Sequence, residues 1–193
     1  MKDLLNIFRE KKQPSHPIMT KLSQKMELHV EHHQFRLRFG EESDIPNILE
    51  LERKAYRGYL AWQMKDFVHD WKNNPYCVYL VLELESHGSA QLVGMINGRF
   101  RQRGGHISHV IIDPEFQGQG LGKVLVEHFL RAAQLLNVPA VTLEVRESNY
   151  RAQQLYTGFG FKRRNIKRFY YSDNHEDAIE MIYERGQNGC NSN

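Results

Sequence analysis

From residue 35 onward the apolar positions fall into short regular blocks separated by polar or glycine-containing breaks. FRLRF, 35–39, alternates apolar and polar residues, the period of a strand with one buried face. SDIPNILELERKAY then follows the period of a helix. Ser43 or Asp44 is placed to cap it, Pro46 sits in its first turn, and Ile45, Ile48, Leu49 and Ala55 share a face. A second helix over roughly 62–72 brings Met64, Phe67, Val68 and Trp71 together. YCVYLVLELE, QLVGMINGRFRQ and HISHVIID, broken by SHGSA and RGG, predict three strands joined by short turns, and so antiparallel neighbours. A glycine-rich loop, DPEFQGQGLGK, leads into a helix over about 120–137. Its Leu121, Val124, Leu125, Leu135 and Leu136 are apolar, and it stops before Pro139. AVTLEV is a strand, SNYRAQQLYTGF a helix, FKRRNIKRFYY a strand and EDAIEMIYE a last strand. The order βααβββαβαββ predicts an α/β fold, a mixed sheet with helices on both faces.

Residues 1–34 lack this regularity. KKQPSHP looks like a break, and Leu4, Leu5 and Phe8 allow one short amphipathic turn or two. The stretch reads as an N-terminal extension, helical in part, ahead of a domain at 35–186 and a polar tail at 187–193. His29, His32 and His33 have spacing that permits a metal pair. No cysteine or acidic motif accompanies them, so a solvated segment with no metal is the expectation.

Composition narrows the class. At 193 residues, 40% hydrophobic and 25% charged, the chain has length and apolar content for one domain with a real core. A formal charge of +3 is too mild to demand a nucleic-acid partner. Two cysteines, Cys77 and Cys190, make neither a disulfide framework nor a zinc pattern, which favours a reducing compartment. Asp3 and Arg9 interrupt what would be the apolar core of a signal peptide, and CVYLVL, 77–82, is far too short to span a bilayer. The expectation is a soluble cytoplasmic protein with no direct nucleic-acid or membrane partner.

The glycine loop carries the first chemical signal, with Gly118, Gly120 and Gly122 at every second position. A dinucleotide fingerprint from Gly118 requires glycine at 123, which is Lys123. A P-loop ending in Gly122-Lys123 requires glycine at 117 and Ser or Thr at 124, which are Gln117 and Val124. What remains is a strand, an acid-proline turn, and Gln117-x-x-Gly120-x-Gly122 opening a helix. Small residues let an anion approach the backbone, and the first N–H groups of a helix lack internal partners and carry the positive end of its dipole. The loop therefore suits a pyrophosphate held by main-chain donors. A glycine-rich surface turn is the plain alternative.

The next motif decides more. LEVRESNYRAQQLYTGFGF supplies Leu143-x-Val145, Asn149, Ala152, Leu155-Tyr156 and Gly160-Phe161. With the loop before it, this stretch resembles the GNAT acetyltransferases over about 35–184. Within them the chain is similar to the RimI group, protein N-terminal alanine acetyltransferases. That likeness rests on LEVRESN, on the step of twelve residues from Glu144 to Tyr156, and on KRFYYSDNHEDAIEM. The resemblance implies a GNAT-like mixed, mostly antiparallel sheet flanked by helices on both faces, and acetyl-CoA as co-substrate. It places Gln117, Gly118, Gln119, Gly120, Leu121, Gly122 and Lys123 on the pyrophosphate, and the backbone of Val110, Ile111 and Ile112 on the acetyl and pantetheine groups. Asn149 contacts the cofactor arm. Glu144 is implied as general base, directly or through water, and Tyr156 as a cofactor contact and the acid toward sulfur, with an oxyanion donor near Ile111 or Ile112.

Simpler readings stand beside these. Glu144 can belong to a polar strand face and Tyr156 to the core. His106 and His109, on opposite faces by parity, are rival bases or ordinary strand histidines. KRRNIKR, 162–168, is an exposed strand face or an attractor for phosphates or an acidic acceptor. AYRGYLAW, 55–62, with Tyr56, Tyr59 and Trp62, and the turn at 172–176 are expected to border the acceptor groove. The implied reaction is direct acetyl transfer to the α-amine of a protein N-terminus, such as the alanine of a small-subunit ribosomal protein. The alternatives are a small-molecule amine (polyamine, amino acid or drug) and a CoA-binding module without turnover.

Overall fold

The computed structural model describes residues 26–30, 32–56, 58, 60–86 and 89–186. Eight strands form one sheet: β1 (Met26–Val30), β2 (His33–Phe39), β3 (Cys77–Ser86), β4 (Ser89–Arg101), β5 (Gly104–Ile112), β6 (Ala140–Arg146), β7 (Lys162–Lys167) and β8 (Ala178–Glu184). Their order is β1-β2-β3-β4-β5-β6-β8-β7, antiparallel throughout except where β5 meets β6. Four helices are α1 (Ile45–Ala55), α2 (Met64–Asn73), α3 (Leu121–Leu135) and α4 (Tyr150–Gly158).

The expected sandwich is present. On one face Ile45, Ile48 and Leu51 of α1 and Phe67 of α2 pack on Tyr79, Val81, Met95 and Ile111. On the other, Leu125, Val126 and Phe129 of α3 and Tyr156 of α4 pack on Leu82, Ile96, Ile107 and Leu143. Each fully buried Phe or Leu contributes about 1.5–3 kcal/mol of apolar transfer, so these two layers hold the helices to the sheet. Met64, expected on the packed face of α2, is instead 39% exposed. Among the described residues no helix is long and apolar enough to cross a membrane.

Three other local features also differ from the sequence reading, apart from the register of β5. First, the sheet starts at Met26, inside the stretch read as an extension. β1 pairs with β2 from Met26↔Leu37 to Val30↔His33, and Leu28 and Val30 pack against the core. Only every second residue of this edge strand meets the core, so its apolar signal is thin. The expected helical turn at 4–8 and the tail at 187–193 lie outside the described residues. Second, neither Ser43 nor Asp44 caps α1 with its side chain. The Asp44 carboxylate accepts instead from the Glu41 N–H at 2.7 Å and from the Arg38 guanidinium at 2.7 and 2.8 Å. Third, β7 ends at Lys167 rather than 171. Asp177 accepts from the Phe169 N–H at 2.9 Å and pairs with Arg168, which turns the chain there.

Register matters most for the site. Asn97 pairs with His109 but Gly98 pairs with Ile107, so Ser108 bulges out of the β4–β5 ladder. A Cβ at Gly98 would stand 2.1 Å from the His106 carbonyl oxygen and 2.7 Å from Phe129, a space only glycine leaves open. The extra residue resets the alternation of β5. His106 and His109 consequently lie on the same face, contrary to the parity expectation, and both border one cleft. His29 and His32 are exposed, and His33 meets Phe116 edge-on at 5.6 Å.

Candidate active site

β5 and β6 pair only at Gly105↔Val141, His106↔Thr142 and Ile107↔Leu143. Past the bulge they part, and the gap opens a cleft of about 510 Å³ between 108–110 on one side and 143–146 on the other. The parting leaves the β6-facing main-chain edge of β5 without a ladder partner, and it joins the two faces of the sheet. Tyr156, from the α4 side, thereby shares the cleft with Tyr56 and Trp62 from the α1–α2 side.

Glu144 stands on the cleft wall with its side chain 9% exposed. Its Oε1 accepts from Lys167 Nζ at 2.6 Å, and its Oε2 lies 3.4 Å from Nε2 of His106. The bond to Glu144 holds Lys167 charged beyond the ordinary lysine range. Burial outweighs the pull of Glu144 and lowers the His106 pKa, so its ring stays neutral. The tautomer that suits both neighbours carries its hydrogen on Nε2, toward Glu144, and lets Nδ1 accept from Thr142 Oγ1 at 3.0 Å.

Opposite stand tyrosines. Burial first, with the hydroxyls of Tyr56 and Tyr171 nearby, raises the pKa of Tyr156 above the tyrosine range, so its phenol keeps its proton. Tyr56 leaves 40% of its surface exposed, yet burial of its hydroxyl end and the nearness of Glu52 push its pKa up to about 12. Arg146 stacks over the Tyr171 ring at 3.8 Å and is itself tied to Asp173 at 2.8 Å and Glu176 at 3.1 Å. Of the turn at 172–176, Ser172 stands on the cleft wall.

Behind the cleft lies a second acid–imidazole pair. Glu52 is wholly buried, and neither of its oxygens is hydrogen-bonded. The N–H groups of Ala61 and Trp62 approach closely enough to pull its pKa down, but not to bond. Burial prevails and pushes it up to about 7. Its Oε1 is 3.8 Å from Nε2 of His109, whose pKa burial pushes down to about 4. Nδ1 of His109 donates to Asn97 Oδ1 at 2.9 Å, and the Trp62 ring meets the imidazole edge-on at 4.8 Å.

At the far end of β5 the glycine loop has the geometry an anion requires. Gly118 and Gly120 have φ of 92° and 83°, the left-handed region that glycine enters freely. Gly120 immediately precedes α3, and its carbonyl accepts from the N–H groups of Lys123 and Val124. The N–H groups of Leu121 and Gly122 stand ahead of these at the open helix end. Arg151 Nη2 lies 3.5 Å from where a Gly118 Cβ would be, which adds a cation beside the loop. Such a nest fits a pyrophosphate.

The glycine loop, the free strand edge and the facing tyrosine together fit a thioester of coenzyme A. Comparison with known proteins agrees. Residues 45–161 match the family model described as "Acetyltransferase (GNAT) family". The chain belongs to the GNAT acetyltransferase family. It is an acetyl-CoA-dependent N-acetyltransferase. This GNAT chain is 34% identical over 138 residues to the putative ribosomal protein bS18-alanine N-acetyltransferase of Bacillus subtilis, covering 72% of this chain and 87% of that one. It is 31% identical over 143 residues to the ribosomal protein bS18-alanine N-acetyltransferase of Escherichia coli K12, covering 73% and 91%. The crystal structure of the ribosomal-protein-S18-alanine N-acetyltransferase from Escherichia coli superimposes with a TM-score of 0.68 at 29% identity, covering 81% of this chain and 97% of that one.

The GNAT fold brings several of the expected residues together. Glu144, Tyr156, Asn149 and Val110 all line the cleft. The Asn149 side-chain oxygen caps α4 by accepting from the Ala152 N–H at 3.1 Å, which leaves its Nδ2 donors for the cleft. The Ile111 side chain is buried against α1, and the Ile112 carbonyl accepts from Gln117 Nε2 at 3.1 Å. A Cβ at Gly122 would meet Leu155 only at an ordinary contact distance of 3.7 Å, and Lys123 is exposed. Of the aromatic segment, Tyr56 and Trp62 line the cleft, while Tyr59 lies outside the described residues. Sequence reasoning missed Glu52, Arg99 and Arg151. Glu52 had a signal: it falls on the buried stripe of α1 with Ile45 and Ile48, where a carboxylate is out of place.

Proposed function

We propose that this GNAT enzyme acetylates the α-amine of a protein N-terminus by direct transfer within a ternary complex. The observation that carries the reading is the 2.6 Å bond between Lys167 and Glu144. One oxygen of Glu144 is held by an ammonium and the other faces an imidazole, so the carboxylate is fixed in place and is reached through a water rather than by the amine directly. An α-amine, with a pKa of about 7.7–8.0, is already roughly 10% neutral at pH 7, whereas a lysine of pKa about 10.4 is neutral in well under ~0.1%. The difference of about 2.5 units is roughly 3.4 kcal/mol of extra work for the base. A restrained carboxylate suits the easier acceptor.

In this reaction the amine nitrogen attacks the thioester carbonyl, and the C–S bond breaks. The proton lost by nitrogen passes to a water held by Glu144, and Tyr156, protonated by virtue of its burial, gives its proton to the departing thiolate. A main-chain N–H on the open edge of β5, near Ile111 or Ile112, meets the charge developing on the carbonyl oxygen. Gln117–Lys123 and Arg151 hold the pyrophosphate, and Asn149 meets the cofactor arm. As domains, 26–186 is the catalytic unit. An N-terminal alanine of a small-subunit ribosomal protein is the first acceptor to try, since both bacterial relatives are named for it.

The test is mass spectrometry of products from acetyl-CoA with Ala-starting peptides and a panel of small amines. Acetylation at the peptide α-amine is the expected result. Modification of lysine side chains alone, or of small amines alone, overturns the reading.

A further inference from the structure

Among the described residues, three charged side chains line the cleft: Arg99, Glu144 and Arg146. Glu144 is neutralised by Lys167, and Arg146 by Asp173 and Glu176. The Arg99 side chain has neither an ion pair nor a hydrogen bond among the described residues. Its neighbour across the ladder is His106, and the next strand of that row carries Thr142. An unpaired guanidinium beside neutral imidazole, in a partly enclosed wall, carries a standing preference for an anion.

Two candidate anions must be separated. The coenzyme's phosphates belong at the glycine loop, beyond Ile112. From the Arg99–His106 pair to Ile112 is six residues of strand, about 20 Å at 3.4 Å per residue. Arg99 is therefore at the wrong end of β5 for them. It is close to the chemistry, since each cross-strand step is about 5 Å and Arg99 is two steps from β6, which carries Glu144. On the order of 10 Å separates the guanidinium from the acetyl-transfer point, the reach of one to three residues of extended peptide.

The shape of the surface agrees. A second hollow of about 460 Å³ runs between α2 and β4, and it shares two wall residues with the cleft, Trp62 and Arg99. A peptide whose amine sits by Glu144 has a continuous path out past these two side chains. The carboxylates of that hollow are already engaged: Asp70 accepts from Tyr79 at 2.7 Å, and Asp66 accepts from the Gln63 N–H at 2.8 Å.

We infer that Arg99 is a specificity-determining residue that selects acceptor N-termini carrying an acidic side chain at the second or third position, held by the guanidinium fork as the peptide leaves over Trp62. Arginine suits this better than lysine because its planar donors meet a carboxylate in pairs. The inference rests on the α-amine reading of the acceptor.

The experiment measures kcat/KM with acetyl-CoA on four Ala-starting peptides that carry Asp-Glu, Asn-Gln, Ser-Ser or Lys-Arg at positions two and three. The full-length chain is expected to favour Asp-Glu over Lys-Arg by about tenfold or more. The preference should shrink from 50 to 500 mM salt, since part of it is screened. Arg99→Ala should flatten the series, and Arg99→Glu should invert it, with CoA affinity unchanged in both as the control for folding. Equal rates on all four peptides, or a series that Arg99→Glu leaves in its original order, overturn the inference while leaving α-amine acetylation standing. If no peptide is acetylated at its α-amine while small amines are, both readings fall together.

Discussion

At the scale of single residues, what was legible depended on whether a residue's role is set by its neighbours in sequence or across the sheet. Glu144 and Tyr156 were found from local motif, and both do line the cleft. The clamp on Glu144 by Lys167 was not, because it joins β6 to a lysine 23 positions away inside what looked like a solvated basic run. Tyr156→Phe keeps the ring that packs 5.7 Å from Phe161 and removes only the acidic proton. It should lower kcat by about 100-fold, the usual range for a lost general acid, while CoA affinity changes less than about twofold. Single-turnover kinetics and calorimetric CoA titration check this, and an equal loss in both would make Tyr156 a positioning residue. Glu52 allows a second prediction, with a pH sign. Its pKa is raised from 4.5 to about 7 on folding, so the folded state holds a proton the unfolded state has lost between those values. Stability therefore falls as pH rises through that window, and the penalty is complete above about pH 7. Glu52→Gln should raise the unfolding free energy by on the order of 3 kcal/mol at pH 8 and by little at pH 4. Urea melts at the two pH values decide it, and a variant destabilised at pH 8 would mean the ionised carboxylate has a partner.

At the scale of elements, the helices and strands of the domain were readable because each has a clean period, but register was not. The sequence shows two glycines in β4, Gly94 and Gly98, and an interior strand glycine points to a bulge or a close backbone approach. Both lie at register shifts, but nothing local says which strand takes the extra residue: it is Val93 of β4 beside Gly94, and Ser108 of β5 opposite Gly98. Facing the Ser108 bulge, the His106 carbonyl and the Phe129 ring close in on Gly98, contacts set by β5 and α3. That single irregularity placed His106 and His109 on one face and opened the strands at Ser108. Gly98→Ala should therefore cost more than ordinary overpacking, about 3 kcal/mol or more, because the new methyl meets backbone rather than a movable side chain. Activity should fall further than the folded fraction does, since the bulge positions the cleft wall. Thermal melts beside kcat/KM at a temperature where the variant stays folded test both parts. Activity that tracks the folded fraction alone would remove the bulge from catalysis.

At the scale of the molecule, the two ends of the sheet answer differently to the sequence. The β8–β7 end carries strong apolar and basic signals, whereas the β1–β2 end was half missed because, among its described side chains, the edge strand packs only Leu28 and Val30 on the core. Yet that end reaches the cofactor loop. Phe35 and His33 of β2 both meet Phe116 edge-on, at 5.9 and 5.6 Å, and Phe116 stands between β5 and the glycine loop. A chain that begins at His33 instead of Met26 leaves β2 as the sheet edge and loses five paired positions. The loss should amount to on the order of 3 kcal/mol of stability, counting partial ladder bonds and the uncovered Leu28 and Val30 sites. Looser support under Phe116 should also let the glycine loop move, so CoA affinity should weaken by roughly fivefold, about 1 kcal/mol, with peptide KM little changed. Calorimetry on the two chains separates the effects. Lower stability with unaltered CoA affinity would show that the loop is held by α3 and the β5 end alone, and that the edge hairpin serves the sheet without reaching the site.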